Sequence, residues 1–358
     1  MLIAPLDWGL GHTTRCIPLI SYLLQKNCQI TIAGTEQQFA ILKPEFPDAE
    51  YILLPGYGIE YPLNYKRFKR KLLYQIPGLL KRISNERKWL GHHYNSYRWD
   101  ALISDNRFGL VHPRIYSVFI THQLHIFSGL GRAADSLLQR MNYHYIRKFN
   151  ECWIPDLQRE PSMAGLLSHP QLLPGNEKYL GPLSRFDIKE SNEKSDLLVL
   201  ISGPEPQRTV FENLVLQQLA KFTGKVFLVR GRPLDIAVPE VNTNVTVLNN
   251  PGSLQLEKFM NGAATILCRS GYTTIMDLIR LQKKAILVPT PGQTEQEYLA
   301  THLHDAGLFF TVEQAQLNIE SDFKAVNKFQ KNNFPAYNFG LYKEVIDDLL
   351  FTISSKNK

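Results

Sequence analysis

Reactive side chains gather at a few loop-to-helix junctions. In Cys268-Arg269-Ser270-Gly271-Tyr272-Thr273-Thr274, hydroxyls and a glycine precede a stretch of helical periodicity, with Asp277 about one turn in. The first N–H groups of a helix have no intrahelical partner, and its dipole favours an anion there, so Ser270, Gly271, Thr273 and Thr274 suit a diphosphate. Asp277 can accept hydrogen bonds from vicinal ribose hydroxyls. A carboxylate in that position also stabilises a helix by ~0.3–1 kcal/mol without any ligand. Shortly after, Pro289-Thr290-Pro291-Gly292-Gln293-Thr294-Glu295-Gln296-Glu297 ends a buried apolar run. Its side-chain amides both donate and accept, as recognition of sugar hydroxyls requires.

Two other junctions are less specific. Gly9 and Gly11 in Asp7-Trp8-Gly9-Leu10-Gly11-His12 let the backbone come close to a ligand ahead of a helix. The loop lacks the third glycine of a dinucleotide fingerprint, so a nicotinamide cofactor is not supported. Ser202-Gly203-Pro204-Glu205-Pro206-Gln207-Arg208-Thr209 is stiffened by two prolines, and Arg208 near the helix start could neutralise phosphate. The spacing is not that of a phosphate loop using ATP. Two short apolar runs end in Asp105-Asn106-Arg107 and Thr121-His122-Gln123, and function in open α/β sheets gathers at such carboxyl ends.

The positioning elements alternate. Strands are expected over 2–4, 29–33, 51–54, 101–104 and 117–120, with a helix after Gly11 carrying Cys16, Ile17, Ile20, Leu23 and Leu24 on one face. Leu180-Gly181-Pro182-Leu183 and the polar run that follows read as a connector. Beyond it come strands at 197–201, 225–229, 245–248, 265–267 and 285–288, interleaved with helices, and a final amphipathic helix near 341–353. This predicts an α/β chain of two Rossmann-like, doubly wound domains, 1–183 and 184–358, facing across a cleft, with the last helix able to return to the first domain.

Composition sets bounds. At 358 residues with 44% hydrophobic and 20% charged residues, the chain is too long for one ordinary core and too apolar for disorder. The four cysteines form no CxxC pair, which fits a reducing, cytoplasmic setting. No apolar run reaches the ~18 residues of a membrane span, and no signal-peptide core opens the chain. The net charge of +7 comes from one segment: between Asn64 and Trp89, nine basic residues face only Glu86, leaving 31 basic and 32 acidic residues elsewhere. Nucleic acid is therefore not an expected partner. Apolar residues interleave with the cations from Lys66 to Lys88, so the segment suits a peripheral contact with an anionic membrane surface or acceptor, or simply a solvated helix face. Pro77-Gly78 is expected to split it into two short helices.

CRSGYTTIMDL and VPTPGQTEQEYLA resemble the donor half of family 28 glycosyltransferases, and GLGHTTR is similar to the loop opening their amino-terminal half. The resemblance spans most of the chain in order and is loose between about Pro62 and Arg98. It implies the GT-B architecture: a nucleotide-sugar donor held by the second domain, an acceptor by the first, with neither cofactor nor obligatory metal. By position it puts Ser270, Gly271 and Thr273 at the diphosphate, Asp277 where the family usually has a ribose-binding glutamate, and Gln296 at the donor sugar, with Arg269 a further nucleotide-sugar-binding candidate. Leu248 and Asn249 would lie beside the base, and Gly203 and Gln207 match the loop after the domain's first strand. Gly9, Gly11, Arg15, Arg107, His122 and Gln123 fall on the acceptor side. Asp277 is one methylene shorter than glutamate, and GPEPQR and DNRFG replace glycine-rich loops, so the donor base and the acceptor need not be those of the peptidoglycan pathway.

Inverting transfer needs a base for the acceptor hydroxyl and an anion site for the leaving diphosphate. His12, with an ordinary pKa near ~6.5, is the expected base, and Asp105 is the alternative. The anion site would be the helix start at Ser270 to Thr274 together with Arg208. Three rivals remain: a nucleotide-sugar hydrolase, since such enzymes also carry a GLGH-like motif followed by an arginine, as Arg15 is here, a nucleotide-sugar 2-epimerase, and a non-catalytic basic protein on a membrane or RNA.

Overall fold

The computed structural model describes residues 1–58, 68–329 and 332–356. Its amino-terminal half is built on seven strands: β1 (Leu2–Pro5), β2 (Thr31–Gly34), β3 (Glu50–Leu53), β4 (Ala101–Asp105), β5 (Tyr116–Ile120), β6 (Glu151–Ile154) and β7 (Glu177–Tyr179). They are paired in parallel in the order β3-β2-β1-β4-β5-β6-β7. The second half carries β8 (Ser195–Leu200), β9 (Val226–Val229), β10 (Val245–Leu248), β11 (Ala263–Cys268), β12 (Ala285–Leu287) and β13 (Phe310–Thr311). These too are parallel, in the order β10-β9-β8-β11-β12-β13. The near-continuous apolar runs of β1, β4, β9 and β11 suit strands buried on both faces by helices.

In each sheet the chain order reverses beside its first strand, between β1 and β4 and between β8 and β11. Loops leaving adjacent strands there diverge and open a crevice at the carboxyl ends. Pro5 pairs with Asp105, so the loop after β1 and the end of β4 lie side by side. Cys268 pairs with both Leu200 and Leu287, which brings the three loops of the second domain together.

One buried cluster crosses between the domains, from Ile17 and Ile20 through Leu180 and Leu183 to Met276, Ile346 and Leu349. The last helix, Leu341–Lys356, lies against helix Ile17–Gln25 of the first domain, where Tyr22 donates to Asp347 and Lys26 pairs with the same carboxylate.

One expectation is corrected. A single helix, Phe68–Tyr97, runs through Pro77, where a split at Pro77-Gly78 was expected. An interior proline costs about 3 kcal/mol, and the turns after it are anchored by buried Ile83, Glu86 and Leu90, which outweighs that local preference. Lys66 and Arg67 of the basic segment lie outside the described residues. Further along, Lys81, Arg87 and Lys88 are exposed, while Glu86 points inward to Tyr57, Arg107 and the Gly109 amide.

Candidate active site

Gly9 holds a positive φ of 78° just before helix Leu10–Arg15, and a side chain there would meet nothing within 4 Å. That tight reversal lets the chain leave β1 and present His12 and Arg15, three residues apart, on one face of the short helix. Both reach the end of β4. His12 Nδ1 lies 2.7 Å from Asp105 Oδ1, and the Arg15 guanidinium contacts both Asp105 oxygens, through Nε and Nη2. Asp105 is fully buried and Arg15 nearly so, while the His12 side chain keeps 15% of its surface exposed.

These placements fix the charges. Burial alone would push the Asp105 carboxyl up, but Arg15 and His12 beside it hold it down at about 2. Burial lowers the basicity of His12, Arg15 lowers it further, and Asp105 opposes both. An ionised carboxylate only accepts, so the contact with Asp105 requires the proton on His12 Nδ1. His12 Nε2 is left with a lone pair and no partner among the described residues.

The second domain meets this cluster directly. Thr273 donates through Oγ1 to the Gly11 carbonyl at 3.2 Å. His122, at the end of β5, stacks on Tyr272 with ring centroids 4.2 Å apart. Its Nε2 lies 2.8 Å from Glu295 Oε1, and the other Glu295 oxygen accepts from Gln123. Thr294 donates to the Phe127 carbonyl at 2.6 Å. His122, Gln123 and Glu295, expected on opposite sides of a cleft, thus form a bridge between its walls. Burial raises the Glu295 carboxyl, but His122 beside it brings it below its ordinary value.

Gly271 caps helix Tyr272–Arg280, with open space where a side chain would project. Gly203 sits at φ 107° with equally open space, ahead of helix Gln207–Leu219. Thr274 and the Gln296 amide nitrogen have no partner among the described residues. The Gln296 oxygen accepts from the Thr290 amide at 2.9 Å. Gln293 Oε1 is buried without a partner among the described residues. Asp277 accepts from Ser184 at 2.6 Å, and burial lifts its carboxyl to about 6 despite the nearby Arg185. Leu248 ends β10, and Asn249 pins the loop between β9 and β10 through Arg230 and the Asp235 and Ala237 carbonyls.

Four expected contacts take other positions. Arg208 is buried and held by Glu205 at 2.8 Å, Glu212 at 2.6 Å and the Arg230 carbonyl, so its charge is met by two carboxylates within the protein. Arg269 donates to the carbonyls of Val288, Pro289 and Gln207 and to Gln314, and lies 3.9 Å from the Phe211 ring centroid. Burial drops its pKa to about 9. The Ser270 hydroxyl turns inward to the Gln296 carbonyl. Arg107 is fully buried, tying the Pro5 and Pro55 carbonyls to Glu86 beneath the acceptor-side loops. In each case a guanidinium or hydroxyl at the end of a parallel strand found buried carbonyls or carboxylates nearer than the cleft.

Arg185, which sequence reasoning missed, stands beside Asp277 and within electrostatic reach of Glu45. Its Nε is buried without a hydrogen-bond partner among the described residues, as is Ser253 Oγ. Ser253 starts a second-domain helix, and its amide donates to Glu45 of the first domain at 3.0 Å. Native structures satisfy most buried polar groups, so these unmet atoms stand out. In the sequence, an arginine inside a connector reads only as a surface charge.

With this geometry in view, a profile of the glycosyltransferase family 28 C-terminal domain matches residues 207–338. Over 152 residues the chain is 25% identical to the UDP-N-acetylglucosamine--N-acetylmuramyl-(pentapeptide) pyrophosphoryl-undecaprenol N-acetylglucosamine transferase of Haemophilus ducreyi, covering 40% of this chain and 42% of that one. The match thus spans about two fifths of that relative's length. Across nearly its whole length the chain is similar in structure to the glycotransferase of kitacinnamycin (TM-score 0.62, 14% identity, 99% of this chain and 94% of the other). It is likewise similar to the glycosyltransferase SnogD from Streptomyces nogalater (TM-score 0.60, 13% identity, 98% of each). Identities this low speak for the fold alone. The paired parallel sheets are the GT-B fold, and residues 207–338 in the second half match the C-terminal domain of the family 28 glycosyltransferases.

Proposed function

We propose that the protein transfers a sugar from a nucleoside-diphosphate sugar to an acceptor hydroxyl, with inversion at the anomeric carbon. The observation that carries this reading is the His12–Asp105 pair, whose free Nε2 belongs to a loop that touches the start of helix Tyr272–Arg280. In the step, the acceptor O–H gives its proton to His12 Nε2, its oxygen bonds to the anomeric carbon, and the bond from that carbon to the diphosphate oxygen breaks. The electron pair leaves with the nucleoside diphosphate. Charge developing there is met by the amide N–H groups at the Gly271 helix start, aided by Gly203 and the start of helix Gln207–Leu219. Thr273 and Thr274 line the diphosphate, while Asp277 and Arg185 hold ribose and phosphate. Gln293 and the Gln296 amide take the sugar, and Leu248 and Asn249 the base.

UDP-N-acetylglucosamine is the first donor to try, because the relative from Haemophilus ducreyi is named for it. That name also specifies an undecaprenol-linked acceptor, which makes a lipid-linked hydroxyl the first acceptor class. Exposed Lys81, Arg87 and Lys88 with exposed Leu80 on helix Phe68–Tyr97 support peripheral docking on the anionic cytoplasmic face of a membrane. No helix among the described residues is long and apolar enough to cross one. Flotation with anionic vesicles at low salt tests docking, and its absence there removes that part.

Thermal unfolding against UDP, GDP, CMP and dTDP and their sugar conjugates tests the donor. A ligand at 100 times its Kd stabilises the folded state by about 2.7 kcal/mol, and no shift with any of them overturns the reading. With the donor identified, sugar appearing only on an added acceptor supports transfer. Rapid release of free sugar from donor alone identifies a hydrolase instead.

A further inference from the structure

The polar contacts around His12 form a chain with a direction. Glu295 can only accept, so His122 must carry its proton on Nε2. His122 Nδ1 is then an acceptor, and the Arg15 Nη1 donor lies 3.4 Å from it. Arg15 donates through Nε and Nη2 to the two oxygens of Asp105. Asp105 Oδ1 accepts in turn from His12 Nδ1. Each member's donor or acceptor role is set by the one before it, and the chain ends at His12 Nε2. It starts on the second domain and finishes on the first.

We propose that Arg15 is a positioning residue: by clamping both oxygens of Asp105 it holds His12 in the Nδ1–H tautomer and keeps the imidazole neutral, with Nε2 open to accept a proton. The inference rests on the reading of His12 as the base. An aspartate paired with histidine alone would raise the basicity of the imidazole, so that much of it would already be protonated near neutral pH. Arg15 cancels the Asp105 charge at its source, and its Nη2 stands 2.9 Å from His12 Nδ1, where it opposes an imidazolium. The charged and titratable groups that face His12 come from every wall among the described residues. They are Arg15 on its own helix, Asp105 at the end of β4, His122 after β5 and Glu295 from the second domain, with the Cys16 thiol 3.8 Å from Asp105. Burial and Arg15 both lower His12, in agreement with this arrangement.

The test is a nuclear magnetic resonance titration of the full chain carrying 15N-labelled histidine, with His12 assigned through H12Q. Wild-type protein is expected to hold His12 neutral with Nδ1 protonated, at a midpoint below the ordinary value. In R15M the Asp105 anion is uncompensated, so the midpoint should move up by roughly one pH unit. R15K keeps the cation but loses the fork, so the midpoint should stay low while the tautomers mix. An unchanged midpoint and tautomer in R15M overturn the proposal. Should R15M not fold, an unchanged tautomer in R15K does the same. No substrate enters the titration, so nucleotides that fail to bind would sink the proposed function without touching this result. With a donor and acceptor in hand, the acid limb of kcat in R15M should shift to higher pH while the donor KM holds, a split that a merely structural defect would not give.

Discussion

Around His12 in the first domain, Asp105, Arg15 and His122 converge so that one lone pair stays open. Around Arg208 in the second domain, Glu205, Glu212 and Arg230 close on one another and leave nothing for a ligand. Burial opposes ionisation of Glu205, yet Arg208, Thr209 and Arg232 hold its carboxyl at about 2. The difference teaches that charge does different work in the two halves. In the first it tunes a reacting group. In the second it fastens strand ends, and under the proposed function anion binding falls to backbone N–H groups at glycine-led helix starts, which carry partial charge without a side chain to desolvate.

The largest effect should come from breaking the first cluster. His12→Ala removes the base, and Asp105→Asn removes the carboxylate that fixes its tautomer, so each should lower kcat about 10²–10⁴-fold with little change in donor KM. Steady-state kinetics check this, and full turnover in His12→Ala would move the base elsewhere. Next, Arg208→Met leaves Glu205 and Glu212 each short of a cation. Removing one partner of a buried ion pair costs about 3–5 kcal/mol, and half-exposed Glu205 and the remaining Arg230 contact put this case at the lower end. The melting temperature should fall clearly while nucleotide affinity of the folded protein holds, as calorimetry and titration would show.

Asp277 gives a smaller and signed effect. Its carboxyl lies at about 6 in the fold against 3.8 ordinarily, so between these values the folded state binds more protons than the unfolded one. Stability therefore drops as pH rises from about 4 to about 6 and stays lower above. Asp277→Asn keeps an acceptor for Ser184, abolishes that dependence and should gain up to about 3 kcal/mol at pH 7, since each pKa unit is worth about 1.4. Denaturant unfolding at pH 4, 5, 6 and 7 reads it directly. The smallest effect on stability belongs to Gly271→Ala: alanine is a poorer helix cap than glycine by roughly 0.5–1 kcal/mol, and the methyl enters the open space before the helix. Donor affinity should fall about tenfold, or about 1.4 kcal/mol, with that small loss of stability.

Much of this comparison was legible before any coordinates. Buried apolar runs at β1, β4, β8, β9, β11 and β12 alternate with helical stretches, and that periodicity yields two parallel sheets and the loops at their carboxyl ends. The stretch holding β6, β7 and helix Arg132–Ile146 was not legible, because that helix buries only Asn142, Tyr143 and Ile146 and its apolar stripe is thin. In the site, the loops were found but not the direction of their side chains. Arg208, Arg269 and Arg107 read as ligands by type, yet Arg269 and Arg107 face carbonyls or a carboxylate from distant segments such as Val288 and Glu86. Those partners are neighbours only after folding, whereas the Glu205 and Glu212 partners of Arg208 stand three and four residues away and were legible from local spacing. Glu295 and His122, 173 residues apart, likewise meet only on folding.

The most direct measurement is the affinity of the nucleoside diphosphate that stabilises the wild-type protein, titrated calorimetrically against Gly271→Ala and Arg208→Met. The account predicts about a tenfold loss in Gly271→Ala and an affinity within about twofold of wild type in folded Arg208→Met. A neutral Gly271→Ala together with binding abolished in folded Arg208→Met would contradict it, because the diphosphate would then rest on the buried arginine rather than on the helix start.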